Sequence, residues 1–129
     1  IDNWGKCDDF CTHAFGYLFM QYPEKISNTK KWAKSKNRWL RRASAVIYIY
    51  PNRQNKYINE AFVISDILLE DQDDLVQKGY GWMLKEISNL YPDKVFKYVT
   101  KNKAKMPRTA LRYAIEKLPP KKREQAMKK

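Results

Sequence analysis

Asp73-Asp-Leu-Val-Gln-Lys-Gly-Tyr-Gly-Trp82 and Asn37-Arg-Trp-Leu-Arg-Arg-Ala43 are two versions of one pattern, and their spacing decides the fold. Each opens on a residue whose short side-chain oxygen can cap a helix, and each carries a cation five residues later (Arg42, Lys78). Small residues follow each cation: Ala43 and Ala45 in one, Gly79 and Gly81 in the other. The cap residues Asp2, Asn37 and Asp73 are 35 and 36 apart, and Pro107 follows 34 later. Arg112 stands at the register position of Arg42 and Lys78.

Between these markers apolar residues recur at three and four, the periodicity of a helix face. Helices are predicted at 3–20, 24–35, 38–50, 58–70, 74–90, 93–101, 108–118 and 120–127. Prolines punctuate them: Pro23, Pro92 and Pro107 open helices, Pro51 with Asn52 ends one, and Pro119-Pro120 divides the last two. Two-helix units at a period of about 35 residues predict an all-α fold, an α-solenoid of HEAT-like hairpin repeats. The alternative is an ordinary helical bundle with coincidental spacing. The expected organisation is a single repeat domain, 1–129, of about four helix pairs: 1–36, 37–71, 72–104 and 105–129. The chain opens on Ile1 without an initiator Met and is expected to be the C-terminal part of a longer protein.

The balance of charge limits the partners. Lys and Arg number 26 against 14 Asp and Glu, a formal net charge of +12. Thirteen of the basic residues fall between Lys94 and Lys129, where the acids are Glu116 and Glu124. Such a surface attracts nucleic acid or an anionic membrane. Lysine-rich tails that merely solubilise are the plainer reading. No apolar run approaches the roughly 20 residues that span a bilayer, so no membrane association is expected. Cys7 and Cys11 sit four apart on one predicted helix, where disulfide geometry is poor. With His13 they match no common zinc spacing, so neither a metal nor any cofactor is expected, and the thiols read as small buried groups in a reducing, cytoplasmic setting.

Four residues stand at informative places on their helices. At about 100° per residue, Asp8 lies roughly 40° from Trp4 at the border of an apolar stripe, whereas Asp9 points to solvent. Asp8 is either a partly desolvated functional carboxylate or a boundary acid paired with a neighbouring Lys or Arg. Trp82 shares its face with Lys78, Lys85, Glu86 and Asn89 rather than with Val76, Tyr80, Met83 and Ile87. It either packs on a neighbouring helix or faces a ligand; an indole left on a polar face forfeits burial energy. Arg42 projects between Trp39 and Ile49, so its stem should be covered; its fork suits a phosphate or an acid on the next hairpin. Trp32 and Trp39 read as core anchors.

The stretches Trp4-Gly-Lys-Cys-Asp8-Asp, Asn37-Arg-Trp-Leu-Arg-Arg-Ala43, Val76-Gln-Lys-Gly-Tyr-Gly-Trp82 and Pro107-Arg-Thr-Ala-Leu-Arg-Tyr-Ala-Ile-Glu116 resemble the AlkD-type DNA alkylation repair enzymes. These are DNA glycosylases built from HEAT-like repeats, and the resemblance runs along essentially the whole chain. It implies hydrolysis of the N-glycosidic bond of positively charged N3- or N7-alkylated purines in double-stranded DNA, by a monomer that needs no cofactor and no obligate protein partner. It further implies Asp8 as the catalytic carboxylate, Trp4 and Trp82 as the substrate-flanking rings, and Arg42 as a DNA-backbone contact. Arg38, Lys78, Arg108 and Arg112 are expected to hold further phosphates. Family members carry additional helices ahead of this segment, and the double acid Asp8-Asp9 departs from some of them. The competing class is a non-catalytic HEAT-like module that binds DNA or scaffolds proteins, since repeat folds do not fix function.

Overall fold

The structure, a computed structural model, describes residues 26–128. The predicted first helix, with Asp2, Trp4, Cys7, Asp8, Asp9, Cys11 and His13, lies outside them. The described residues are all-helical and contain no strand. The helices are α1 (Ser27–Ala33), α2 (Arg38–Val46), α3 (Ile49–Arg53), α4 (Ile58–Leu68), α5 (Asp74–Ser88), α6 (Pro92–Asn102), α7 (Arg108–Ala114) and α8 (Pro120–Met127). None is long and apolar enough to cross a membrane.

The caps explain the boundaries. Asn37 Oδ1 accepts from the backbone amides of Trp39 (2.8 Å) and Leu40 (3.3 Å). Asp73 Oδ1 does the same for Leu75 (2.9 Å) and Val76 (3.3 Å). Each satisfies amides that have no partner within the first turn, a contribution of about 0.5–2 kcal/mol. Pro92 and Pro120 open α6 and α8, where a missing amide hydrogen costs nothing.

The expected helix over 38–50 is in fact two. Pro51 cannot donate to the carbonyl of Ile47, and the chain tightens there: Tyr48 N bonds Ala45 O (3.0 Å), a three-residue step. Pro51 then sits in the first turn of α3 instead of ending a helix. The same segment closes with Lys56 N on Pro51 O (2.9 Å) and Asn52 Nδ2 on Lys56 O (2.9 Å). Asn55 and Tyr57 take positive φ (60° and 61°), which turns the chain into α4.

Packing follows the order of the hairpins. The longest helix, α5, lies against α7 on one side and α2 on the other, and α2 lies against α1. The second helices α4 and α6 back onto α5, and α8 backs onto α6. Val46, Ile47, Ile64, Val76, Tyr80, Met83, Leu84, Ile87, Val95 and Val99 are at most 1% exposed and form the core between these layers. Each large aliphatic among them contributes about 1.5–3 kcal/mol of burial. Trp32 and Trp39 are half-buried against this core. Leu90 is 45% exposed because α5 ends at Ser88 and Leu90 lies in the turn beyond it.

The side-chain ties between hairpins have a common reach. Arg38–Asp73 spans 35 residues, Arg42–Leu75 33, Arg53–Glu86 33, Tyr91–Asn55 36, Tyr98–Asp66 32 and Lys85–Glu116 31. All are close to one sequence period.

Buried tyrosines make stability fall in alkali. Burial pushes the Tyr48 hydroxyl from an ordinary value of 10.0 up to about 12, against the lowering effect of its 2.8 Å hydrogen bond with Thr29. Tyr80, bonded to Leu69 O (2.7 Å), and Tyr98 are raised by burial as well. A raised folded-state pKa means the folded chain holds the proton more tightly than the unfolded chain. The associated stability is therefore fully present below pH 10.0 and is lost as pH climbs through about 12. Urea midpoints measured against pH should stay level up to that onset and drop beyond it. A flat profile to pH 12 would show that these hydroxyls ionise without unfolding.

Candidate functional site

The helices α2, α5 and α7, each the first of its hairpin, carry most of the residues singled out in the sequence. Their contact is close because small residues face neighbours. A Cβ on Gly81 would stand 2.7 Å from Tyr113 Cβ and 3.0 Å from the carbonyl oxygen of Ala110. A Cβ on Gly79 would stand 3.1 Å from Arg42 Cγ and 3.4 Å from its Nη1. Thus Gly79 opens the slot that Arg42 fills.

Arg42 is 2% exposed, and its Nη1 donates to Leu75 O at 2.6 Å, across to the first turn of α5. Its stem is covered as expected, but its fork also lies within the protein. The register-equivalent cations differ. Lys78 is half-buried and paired with Asp74 one turn earlier (2.9 Å), while Arg112 is exposed. No glycine occurs in α7 to open a slot for Lys78 of the kind Gly79 gives Arg42.

Arg38 projects outward and pairs with Asp73 (Nε–Oδ2 2.8 Å), the residue that caps α5, while its guanidinium lies 5.4 Å from the Trp39 ring centre. Arg41 pairs with Asp71 at 2.8 Å and also donates to the carbonyls of Ser35 and Lys36. The arginines of α2 therefore grip the turn between α4 and α5. The Arg38 and Lys78 pairs reach the surface, where such pairs contribute little and exchange partners readily. Arg108 and Arg112 are exposed on α7.

Trp82 is half-buried against the core, and its Nε1 donates to Glu86 Oε1 at 3.3 Å. Glu86 is also held by Arg53 through a fork: Nη2 to Oε1 at 2.9 Å and Nε to Oε2 at 3.3 Å. Burial alone would raise the Glu86 carboxyl, but the Arg53 hydrogen bond and charge, the Trp82 hydrogen bond and the Lys85 charge hold it below its ordinary value. Lys85 pairs with Glu116 (2.9 Å) and lies 5.6 Å from the Tyr113 ring centre. One side of the Trp82 indole thus packs inward, and its nitrogen is held by Glu86 at the polar edge.

Sequence reasoning placed Glu86 on the face of Trp82 without giving it a role, and did not single out Arg53 or Tyr113. The available signals were the four-residue spacing of Trp82 and Glu86 and the placing of Arg53 one period upstream. The structure brings Trp82, Lys78, Lys85 and Arg42 onto or beside one helix, α5, with Arg38 at its capped end. Asp8 and Trp4 lie outside the described residues. No group of three or more His, Cys, Asp or Glu side chains among the described residues could hold a metal ion.

The profile of the DNA alkylation repair enzyme family matches residues 1–118. The chain belongs to the DNA alkylation repair enzyme family. That match takes in α1 to α7 and all the residues proposed for the site, while α8 follows it. Comparison with curated protein sequences finds no match.

Proposed function

We propose that this member of the DNA alkylation repair family is a DNA glycosylase that removes positively charged N3- or N7-alkylated purines from duplex DNA by hydrolysing the N-glycosidic bond. The family match over residues 1–118 carries this reading. The proposed scaffold is a HEAT-like solenoid of four helix pairs. The one-period reach of the hairpin ties and the succession α1, α2, α5, α7 support it, because repeats in a solenoid touch only their neighbours.

The chemistry asks little of the protein. An alkylated purine already carries positive charge and leaves without protonation. Breaking its bond to the sugar builds an oxocarbenium-like centre, which a fixed carboxylate stabilises. Asp8, ionised, takes that role and orients the attacking water: the C1′–N bond breaks with its electron pair leaving on the base, which departs neutral, the water oxygen bonds to C1′, and the proton it sheds passes by way of Asp8 to solvent. Trp4 and Trp82 flank the cationic nucleotide. Arg38, Lys78, Arg108 and Arg112 hold phosphates, the first two by exchanging Asp73 and Asp74 for DNA oxygens. Arg42, nearly enclosed, acts mainly by pinning α2 to α5 and by the positive potential it keeps beneath that surface.

Release of methylated base from duplex DNA, followed at several salt concentrations, tests the reading. Salt-sensitive duplex binding without base release would make the chain a DNA-binding module instead. Trp82 gives a sharper test. Trp82→Ala should weaken preference for a cationic lesion about 2- to 30-fold, the range of one cation–π contact of about 0.5–2 kcal/mol. Affinity for undamaged duplex should change less. Trp82→Phe keeps most of the packing and should recover part of the preference. If Trp82→Ala lowers only thermal stability, the indole is structural.

A further inference from the structure

Most cations on this molecule that approach an acid are neutralised by it: Arg38, Arg41, Arg53, Lys78, Lys85 and Lys122 each have a carboxylate within 2.6–2.9 Å. Among the described residues two recesses are lined by cations without an acid, one beside Phe62 and Tyr98 and one walled by methionines; the second is the more enclosed by its neighbours. This second cavity, of about 460 Å³, lies where the α6–α7 turn meets the end of α8, lined by Lys103, Ala104, Met106, Arg108, Met127 and Lys128. Three of the six are cations and none is an acid. Lys103 Nζ reaches the carbonyl of Gln125 at 3.4 Å, which ties the turn to α8. Met106, only 6% exposed, and half-buried Met127 give the recess an apolar, polarisable wall.

We propose that this recess binds a phosphate-bearing nucleotide, its phosphate among Lys103, Arg108 and Lys128 and its base against Met106 and Met127. The volume lies within the ordinary range for small-ligand pockets. An arginine fork with two ammonium groups matches the spread charge of phosphate oxygens better than the single charge of a carboxylate. Thioether sulfur packs favourably on aromatic rings such as a base. Two of its six lining residues, Met127 and Lys128, follow the family match, and the other four lie within it. The nucleotide is either free or part of a DNA strand running past α7; the second source rests on the glycosylase reading above.

The probe is a deoxynucleoside 5′-monophosphate titrated into the chain labelled at its methionine methyl groups. The Met106 and Met127 signals should shift saturably, while that of Met83, fully buried in the core, stays fixed. The matching nucleoside without phosphate should leave all three unmoved. Lys103→Gln with Lys128→Gln should weaken the nucleotide about tenfold or more, the weight of a charge-assisted hydrogen bond, with only a small change in melting temperature, because the Lys103 tie is long and exposed. No saturable shift, or equal binding by the double variant, overturns the site. With duplex DNA, a fall of about one in the salt slope per lost phosphate contact assigns the pocket to a DNA strand. An unchanged slope beside retained nucleotide binding assigns it to free nucleotide. Absence of base release by the parent would sink the glycosylase reading and leave the nucleotide result standing.

Discussion

Asp8→Asn is expected to cut the rate of 7-methylguanine release by about 10²–10³-fold, the weight of removing one group aimed at transition-state charge. The substitution keeps the shape, turns one accepting oxygen into a donating amide nitrogen and removes the charge. A neutral amide cannot offset the cationic sugar that forms as the base departs. Binding of undamaged duplex should be nearly unchanged, because phosphate contacts supply it and Asp8 opposes them, if anything. Asp9→Asn is the matched control: the same change one residue on, on the predicted solvent face, should leave release intact. Equal excision by Asp8→Asn and the parent would remove this carboxylate from the mechanism. Loss by both variants together would mean that charge in the segment, rather than one placed group, is what counts.

The second large effect is structural. Gly81→Ala should destabilise the fold by about 1–2 kcal/mol net. Alanine favours a helix interior by up to about 1 kcal/mol over glycine. The added methyl, however, would lie 2.7 Å from Tyr113 Cβ and 3.0 Å from Ala110 O. Neither atom is the movable tip of a side chain, so α5 and α7 must separate, and overpacking of this kind typically costs about 1–3 kcal/mol. For a chain of this size the net loss is a fall of roughly 4–10 °C in melting temperature. Gly79→Ala should cost less, because its methyl meets the Arg42 side chain at 3.1 Å, and a side chain can give more than a backbone. A rise in melting temperature for Gly81→Ala would show that the two helices slide apart freely.

Much of the helix order was legible because local chemistry marks it. Asn37 and Asp73 cap helices as their side chains dictate, and Pro92 and Pro120 open helices because they need no donor there. Pro51 was misread: proline is a poor guide to whether a helix ends or restarts, since both leave the same carbonyl unpaired. The helix expected over 108–118 stops at Ala114, where Ile115 leaves helical geometry ahead of Pro119. Arg42 was recognised as a covered stem, but the fate of its fork was hidden in Gly79 and Leu75, on another hairpin. The same holds for the Arg53–Glu86–Trp82 cluster, whose members meet only after two hairpins have docked. Periodicity on one helix tells which way a residue faces and not what will come to meet it.

The salt bridges between hairpins join residues 29 to 35 apart among the described residues. If its helix pairs stack as the proposed solenoid, a molecule laced in this way behaves like a string of vertebrae. Each joint is braced by the one before and the one after, and strain introduced at a joint is passed on only in small shares. Trimming the far end should fray its neighbour and leave the Arg38–Asp73 clasp as tight as before. Widening a single joint in the middle should tilt everything beyond it by the same small angle. Under that proposal the pitch of the stack, and with it the fit to a long rigid ligand, is set joint by joint.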